Sequence, residues 1–317
     1  MVTETIVNIT GLHKVYPGRN PVTAVDGVDL QVSAGAIYGL LGPNGAGKTT
    51  TISIATTRAV PTAGSVIIDG IDVVAHPALA RRSIGVVPQF NTLDRACTVA
   101  ENIQFHCLYF GMSRAEANAR TAKLLDQFRL SDRASAYPQA LSGGLAQRLQ
   151  IARAISHHPK VLFLDEPSAG LDPQSRIAMW DAVRELRTEG ITVVLTTHYM
   201  EEADELCDRL AIIDHGKILM EDSPAMLKAS LGGDKIYDLR MGDMAKIAQL
   251  ESRLRQTAGV TGVEPIAGGL RVLARAQDGL LATVVTTANE FGLRDVTSTE
   301  PSLEAVFIRL TGRELRE

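Results

Sequence analysis

The stretch Gly42-Pro43-Asn44-Gly45-Ala46-Gly47-Lys48-Thr49-Thr50 carries the first recognisable chemistry of this chain. It fits G-x-x-x-x-G-K-[ST], a spacing in which glycines let successive backbone N–H groups turn inward toward phosphate oxygens. Lys48 adds a positive charge at the β and γ phosphates of a nucleotide, and the helix that follows adds its partial positive N-terminus. Thr49 places a hydroxyl where Mg²⁺ would sit. A glycine-rich turn from strand to helix would need none of these groups. The context is nevertheless that of a phosphate cradle: an apolar run, Ala36-Ile37-Tyr38-Gly39-Leu40-Leu41, reads as a buried strand before it, and Thr50-Thr51-Ile52-Ser53-Ile54-Ala55 can continue as helix after it.

Such a loop serves kinases, GTPases and motors alike, and further residues narrow the choice. Val161-Leu162-Phe163-Leu164-Asp165-Glu166 is an apolar strand ending in two acids. Asp165 at the strand tip is expected in the Mg²⁺ shell beside Thr49, and Glu166 is placed to orient or deprotonate an attacking water. Leu141-Ser142-Gly143-Gly144 puts a hydroxyl and two unobstructed N–H groups at a helix start, a second anion site. One γ-phosphate cannot be gripped by both loops of a monomer when they lie far apart on the fold, so the second site hints at two copies closing over shared nucleotide. His198 follows the strand Val193-Val194-Leu195-Thr196-Thr197. A lone histidine at a strand end is usually structural, but this strand is expected beside that of Asp165, where the ring would meet the γ-phosphate. Gln89, after Val87-Pro88, ends another strand and offers an amide oxygen to Mg²⁺ or water. Tyr16, before the turn Pro17-Gly18, reads equally as a core aromatic or as a ring that stacks on a base.

The elements that must position these groups follow an αβ rhythm. Alternation at Ile6–Ile9 and Val28–Val32 predicts antiparallel strands with one wet face; Ser65–Gly70 and Ile84–Val87 read as further strands. From about 98 to 140 the apolar positions recur at helical spacing (Val99, Ile103, Leu108; Leu124, Leu125, Phe128), predicting two or three inserted helices closed by Pro138. Ser142 then caps a helix expected over Leu145 to about Ser156. Strands at Val161–Asp165 and Thr192–Thr196 with a helix over Pro173–Glu189 between them predict a parallel sheet with both faces covered. Past Asp222 the pattern changes: strands at Lys235–Leu239, Val260–Pro265, Leu270–Leu273 and near Asp295, helices at Met244–Ala258 and Asp278–Phe291, and a last helix opening at Pro301-Ser302. Gly232-Gly233 reads as a linker, and no pocket is recognisable in this ending.

Bulk properties exclude several classes. At 317 residues the chain can hold one large domain and a small one. Its net charge of -4, from 32 basic and 36 acidic residues, advertises no nucleic-acid partner, and 45% hydrophobic residues exclude disorder. Cys97, Cys107 and Cys207 are scattered and lack metal spacing, which fits a reducing compartment. No signal peptide and no run of eighteen apolar residues is recognisable, so a cytoplasmic protein that does not itself span a membrane is expected.

Gly42 to Thr49, Gln89, Leu141-Ser142-Gly143-Gly144, Asp165-Glu166, Ser168-Ala169-Gly170-Leu171-Asp172 and His198 occur in the order of an ABC transporter ATP-binding cassette, which the chain resembles over roughly 4–222. The resemblance implies an α/β P-loop cassette with a mixed-sheet core and an inserted helical subdomain, working as a head-to-tail homodimer with two ATP and Mg²⁺ at the interface. It implies that Tyr16 stacks on the base, that Glu166 is the catalytic glutamate, that Lys48, His198 and Gln89 assist it, and that Ser142, Gly143 and Gly144 contact ATP held by the other subunit. Asp172 matches the loop that communicates between sites. One departure stands out: the fifth signature position, usually Gln, is Leu145, so any polar contact from it is lost. Residues 233–317 form a small α+β domain whose Pro301–Phe307 and Leu310-Thr311-Gly312-Arg313 are similar to the ending of daunorubicin-resistance and nodulation-export ATPases.

The function implied is an ATPase on the cytoplasmic side of the cell membrane, powering export of a drug-like, lipid or polyketide/oligosaccharide-type molecule through a separate permease. The inserted helices with Gln89 would meet that permease. A soluble ABC ATPase acting on ribosomes or DNA is the alternative; its ribosomal members typically fuse two cassettes, and its DNA-repair members insert long coiled coil between Gly42 and Ser142, where this chain has little room.

Overall fold

A computed structural model describes residues 4–233, 235–242 and 246–312. Met244 and Arg313, on which two of the sequence expectations fall, lie outside the described residues. The chain divides into two compact units, one reaching residue 221 and one beginning at residue 222.

The first unit opens with β1 (Thr5–Tyr16) and β2 (Val22–Ser33), antiparallel as their alternation predicts, and continues through β3 (Ile37–Leu41) into α1 (Lys48–Ala55). Next come β4 (Ala63–Ile68), β5 (Ile71–Asp72), the single turn α2 (Pro77–Ala80) and β6 (Ile84–Val87). The inserted region holds α3 (Val99–Tyr109) and α4 (Arg114–Gln127), followed by short 3₁₀ turns at Ser131–Arg133 and Pro138–Ala140. Both helices start at a reciprocal cap. Thr98 and Glu101, and likewise Ser113 and Glu116, each satisfy the other's backbone N–H, an arrangement worth about 1 kcal/mol per helix. The αβ alternation resumes with α5 (Gly143–Ala154), β7 (Val161–Asp165), α6 (Pro173–Thr188), β8 (Thr192–Thr197), α7 (Met200–Leu206), β9 (Arg209–Asp214) and β10 (Lys217–Asp222). The α5 helix begins two residues before the expected Leu145, because Ser142 caps it by accepting from the Leu145 amide.

Two sheets result. One is ordered β2-β1-β4-β5; the other is six-stranded, β10-β9-β3-β8-β7-β6. Within the latter, β9, β3, β8, β7 and β6 pair in parallel. All residues of β3, β7 and β8 are buried, as continuous apolar runs between two covered faces require. The consequence for chemistry is that β3, β7 and β8 end at the same edge, so the loops after Leu41, Asp165 and Thr197 converge.

The second unit contains α8 (Pro224–Ala229), β11 (Lys235–Met241), α9 (Ile247–Arg255), β12 (Val260–Ile266), β13 (Gly269–Ala274), α10 (Leu280–Asn289), β14 (Leu293–Thr299) and α11 (Leu303–Thr311). The strand order β12-β13-β11-β14, antiparallel throughout, is that of a ferredoxin-like βαββαβ unit. Tyr237, Leu239 and Met241 of β11 pack with Leu250, Leu254 and Val284 of the two helices. The helix after β11 is shorter than the expected Met244–Ala258: its last turn tightens as Thr257 N–H bonds Leu254 O, and Gly259 then turns at φ +90°. The α8 helix, before Gly232-Gly233, belongs with this unit; Arg309 of α11 donates to Ser230 O and Leu231 O just after it. Contrary to the sequence expectation, the unit has a cavity, of about 270 Å³, between α11 and the sheet face bearing Ile236, Arg271 and Leu273. It escapes sequence reading because its lining comes from elements far apart in the chain. Arg271 there is bound in a two-point ion pair with Asp238, at 2.7 Å on each side.

Candidate functional site

The phosphate loop leaves β3 at Gly42 and enters α1 at Lys48. Two glycines are demanded by space as well as by dihedral angle. A Cβ on Gly42 would lie 2.2 Å from Ile213 O, and one on Gly47, at φ +105°, would lie 2.3 Å from Ala24 O. Around the loop is a cleft of about 490 Å³, lined by Tyr16, Val22, Ala24, the residues from Pro43 to Thr50, Gln89 and Glu166. Tyr16, the predicted loop residues from Pro43 to Thr50, Gln89 and Glu166 are thus brought together around one cleft; Gly42 lies at the loop's root. Tyr16 is 42% exposed, not core, and Lys14 Nζ lies 5.0 Å from its ring centroid.

Lys48 is almost fully buried. Its ammonium donates to Gly42 O at 2.7 Å and Pro43 O at 3.1 Å and pairs with Glu166 Oε1 at 3.3 Å. Burial pulls its pKa down, and the neighbouring carboxylates of Glu166 and Asp165 oppose that pull. Gln89 Nε2 donates to Glu166 Oε2 at 3.0 Å, and His198 Nδ1, which completes no hydrogen bond among the described residues, lies 3.3 Å from the same oxygen. Glu166 itself adopts φ +49°, a left-handed conformation rare for a side chain of its size.

Asp165 is reached by two hydroxyls on one oxygen. Thr49 donates to Oδ1 at 3.1 Å and Thr196 to the same atom at 2.6 Å. Thr196 was not singled out in the sequence. It stands opposite Asp165 in the parallel register of β7 and β8, and pairing those two strands residue by residue would have found it. Its hydroxyl also accepts from the Glu166 amide at 3.0 Å. These oxygens suit Mg²⁺, which takes one or two protein oxygens and completes its shell with phosphate and water. Thr49 and Asp165 therefore fit such an ion. Gln89 donates through its amide nitrogen to Glu166, which leaves its amide oxygen to face an ion or water.

Ser142, Gly143, Gly144 and Asp172 do not line this cleft. They cluster with one another at the starts of α5 and α6. Asp172 caps α6, accepting from Ser175 N at 2.9 Å and Ser175 Oγ at 2.6 Å. Ser175 Oγ in turn lies so near Gly144 that a Cβ there would approach it to 2.5 Å. Ser142 and Gly143 are exposed, and Leu145 is half-buried. The structure thus separates the sequence-predicted residues into a phosphate cleft and a second, outward-facing pair of helix starts.

Among the described residues no helix is long and apolar enough to cross a membrane. The family model described as ABC transporter matches residues 25–169. The chain is 41% identical to the daunorubicin/doxorubicin resistance ATP-binding protein of Streptomyces peucetius, over 96% of this chain and 92% of that one. It is 39% identical to Nod factor export ATP-binding protein I of Ralstonia nicotianae, over 98% of this chain and 95% of the other. Among solved structures, a dimeric post-hydrolysis state of an ATP-binding cassette bound to ADP and Pi superposes with a TM-score of 0.64 at 28% identity, covering 69% of this chain and 98% of that one.

Proposed function

The chain belongs to the ABC transporter family and is an ATP-hydrolysing subunit of the exporter type; from that premise we propose how its residues share the work. The observation that carries the proposal is the convergence of Lys48, Gln89 and His198 on the one carboxylate of Glu166, beside the phosphate loop. Glu166 is the base that orients and deprotonates the attacking water; Lys48 and Gln89 fix the direction in which the carboxylate points, with the His198 ring beside it. Lys48 and the backbone N–H groups from Gly45 to Thr50 hold the β and γ phosphates. Tyr16, exposed and approached by Lys14, offers a ring face to the adenine. Mg²⁺, held by Thr49 and Asp165 with Gln89 nearby, would neutralise charge on the phosphates.

The second cluster completes the site from another copy. Ser142 and Gly143 are exposed at the start of α5, Gly144 follows them against Ser175, and Asp172 stands beside that serine. A head-to-tail homodimer would bring them onto ATP held by the other subunit's phosphate loop. Two copies closing on ATP and parting after hydrolysis make the cassette a conformational motor.

The permease partner would dock at the first unit, at a groove of about 500 Å³ lined by Arg58, Arg81, His106, Phe110 and His157. Phe90, adjacent to Gln89 and 77% exposed, and Tyr109, 84% exposed on α3 with its ring edge against Phe110, present further large side chains to solvent. The cargo is drug-like, lipid or polyketide/oligosaccharide-type, and the cassette sits at the cytoplasmic face of the membrane. The test is co-purification of the tagged chain from solubilised membranes, followed by ATPase measurement with candidate cargo molecules. A six-helix-type membrane partner that stimulates or couples hydrolysis supports the reading; recovery with ribosomes or DNA instead of a membrane protein overturns it.

A further inference from the structure

Behind the cleft lies a polar cluster that the roles above leave unused. Glu202 of α7 has no exposed surface. Trp180 Nε1 on α6 donates to its Oε1 at 3.2 Å. The hydroxyls of Ser168 and Thr197 face the same carboxyl, yet neither Ser168 Oγ nor Glu202 Oε2 completes a well-formed hydrogen bond. Burial drives the carboxyl's pKa up, against the opposing pull of these donors and of Arg176. One turn before Trp180, the Arg176 guanidinium lies 4.9 Å from the Tyr199 ring centroid and 3.8 Å from Glu201. Tyr199 in turn packs on His198, ring centroids 4.1 Å apart.

A leucine at position 202 would fill this space with no orphaned oxygen to desolvate. What the carboxyl adds is a connection. It ties α6, which is capped by Asp172, to α7, the helix that directly follows the end of β8 and His198. We infer that Glu202 is a positioning residue for hydrolysis: through Trp180 it makes the placement of Thr197 and His198 depend on where α6 stands. The inference rests on the ATPase reading above. When a second copy engages Asp172 and shifts α6, close packing around Trp180 and Glu202 passes the shift to the strand end instead of absorbing it. His198 already lies 3.3 Å from Glu166 in the single chain; the second copy sets its register against the γ-phosphate.

Trp180 is the single tryptophan of the chain, so its emission reports on this link directly. In the full-length protein, ATP with Mg²⁺ added to a Glu166→Gln background shifts Trp180 emission, and adding Glu202→Ala abolishes that shift while ATP still binds. Glu202→Ala alone lowers kcat about tenfold or more, with KM changed less than about threefold. Glu202→Gln keeps a carbonyl acceptor for the indole and restores kcat to within about threefold of the parent. Parent-like kcat in Glu202→Ala, or Trp180 emission indifferent to nucleotide, overturns the inference. If Glu202→Ala does not fold, Trp180→Phe takes its place, since it keeps a ring and removes only the donor. A parent-like kcat in that variant overturns the inference, and a loss of about tenfold at unchanged KM supports it. A parent protein without ATPase activity would instead sink the ATPase reading.

Discussion

The hydroxyl of Thr196 donates to Asp165 Oδ1 at 2.6 Å and accepts from the Glu166 amide at 3.0 Å, so one side chain of β8 braces both acids at the tip of β7. Thr196→Val keeps the shape and removes the brace. The Glu166 amide retains its second acceptor, Thr196 O at 3.1 Å. The fold should therefore lose only about 1–2 kcal/mol, while hydrolysis falls about tenfold. Thermal melts and steady-state ATPase assays separate the two effects.

Glu166→Gln removes the base but keeps the shape and one acceptor oxygen, enough for either Lys48 or Gln89. ATP affinity should stay within about threefold, while turnover drops by about two orders of magnitude or more. Size-exclusion chromatography with ATP should show a trapped dimer. Unchanged turnover in the purified variant would refute the base assignment.

Gly144→Ala sets a methyl group within reach of Ser175 Oγ, which must then leave Asp172. Since none of these residues lines the phosphate cleft, nucleotide binding to the monomer should persist. Hydrolysis and ATP-induced dimerisation should fall together, by about tenfold or more. Retained dimerisation would show that Asp172 and the α5 start play no part in the interface.

A pH effect is expected from His106 and His157. Burial lowers both imidazoles to about 4, from an ordinary value of 6.5. In the unfolded chain they take up protons near 6.5; in the fold they resist until about 4. Between those values the unfolded state binds more protons, so stability rises with pH across the window. The contribution is complete above about 6.5 and is lost as pH falls toward about 4. His157→Phe retains the stack on Phe110, whose ring centroid is 3.8 Å away, and should flatten the dependence of Tm on pH.

Truncation after Asp222 should preserve nucleotide binding, because every residue lining the phosphate cleft precedes that point. Dimer formation or coupling to the permease should weaken. Loss of all ATP affinity in a folded truncated protein would show that the tail contributes to the nucleotide site.

What was legible in the sequence follows from how locally each feature is encoded. The run Ile37–Leu41 and the glycines after it declare a buried strand and a phosphate loop within a dozen residues, and Ser142 announces its helix as a cap from side-chain chemistry alone. Features made by strand order were not legible. Thr196 matters because β8 lies beside β7 in one particular register, and Glu202 because α7 folds back under α6. The ferredoxin-like order of the second unit could likewise not be read from a list of strands and helices, since several orders share the same succession.

The mirror-handed backbone step at Glu166 bears on redesign. In a regular strand, neighbouring side chains point to opposite faces, so Asp165 and Glu166 would serve different surfaces. The step at φ +49° swings the second carboxylate round toward Lys48, Gln89 and His198. Glycine would occupy that conformation with less strain than any side chain. A stability-guided redesign that relieves such steps would thus be drawn to this position too, and would return a sturdier protein with an idle motor.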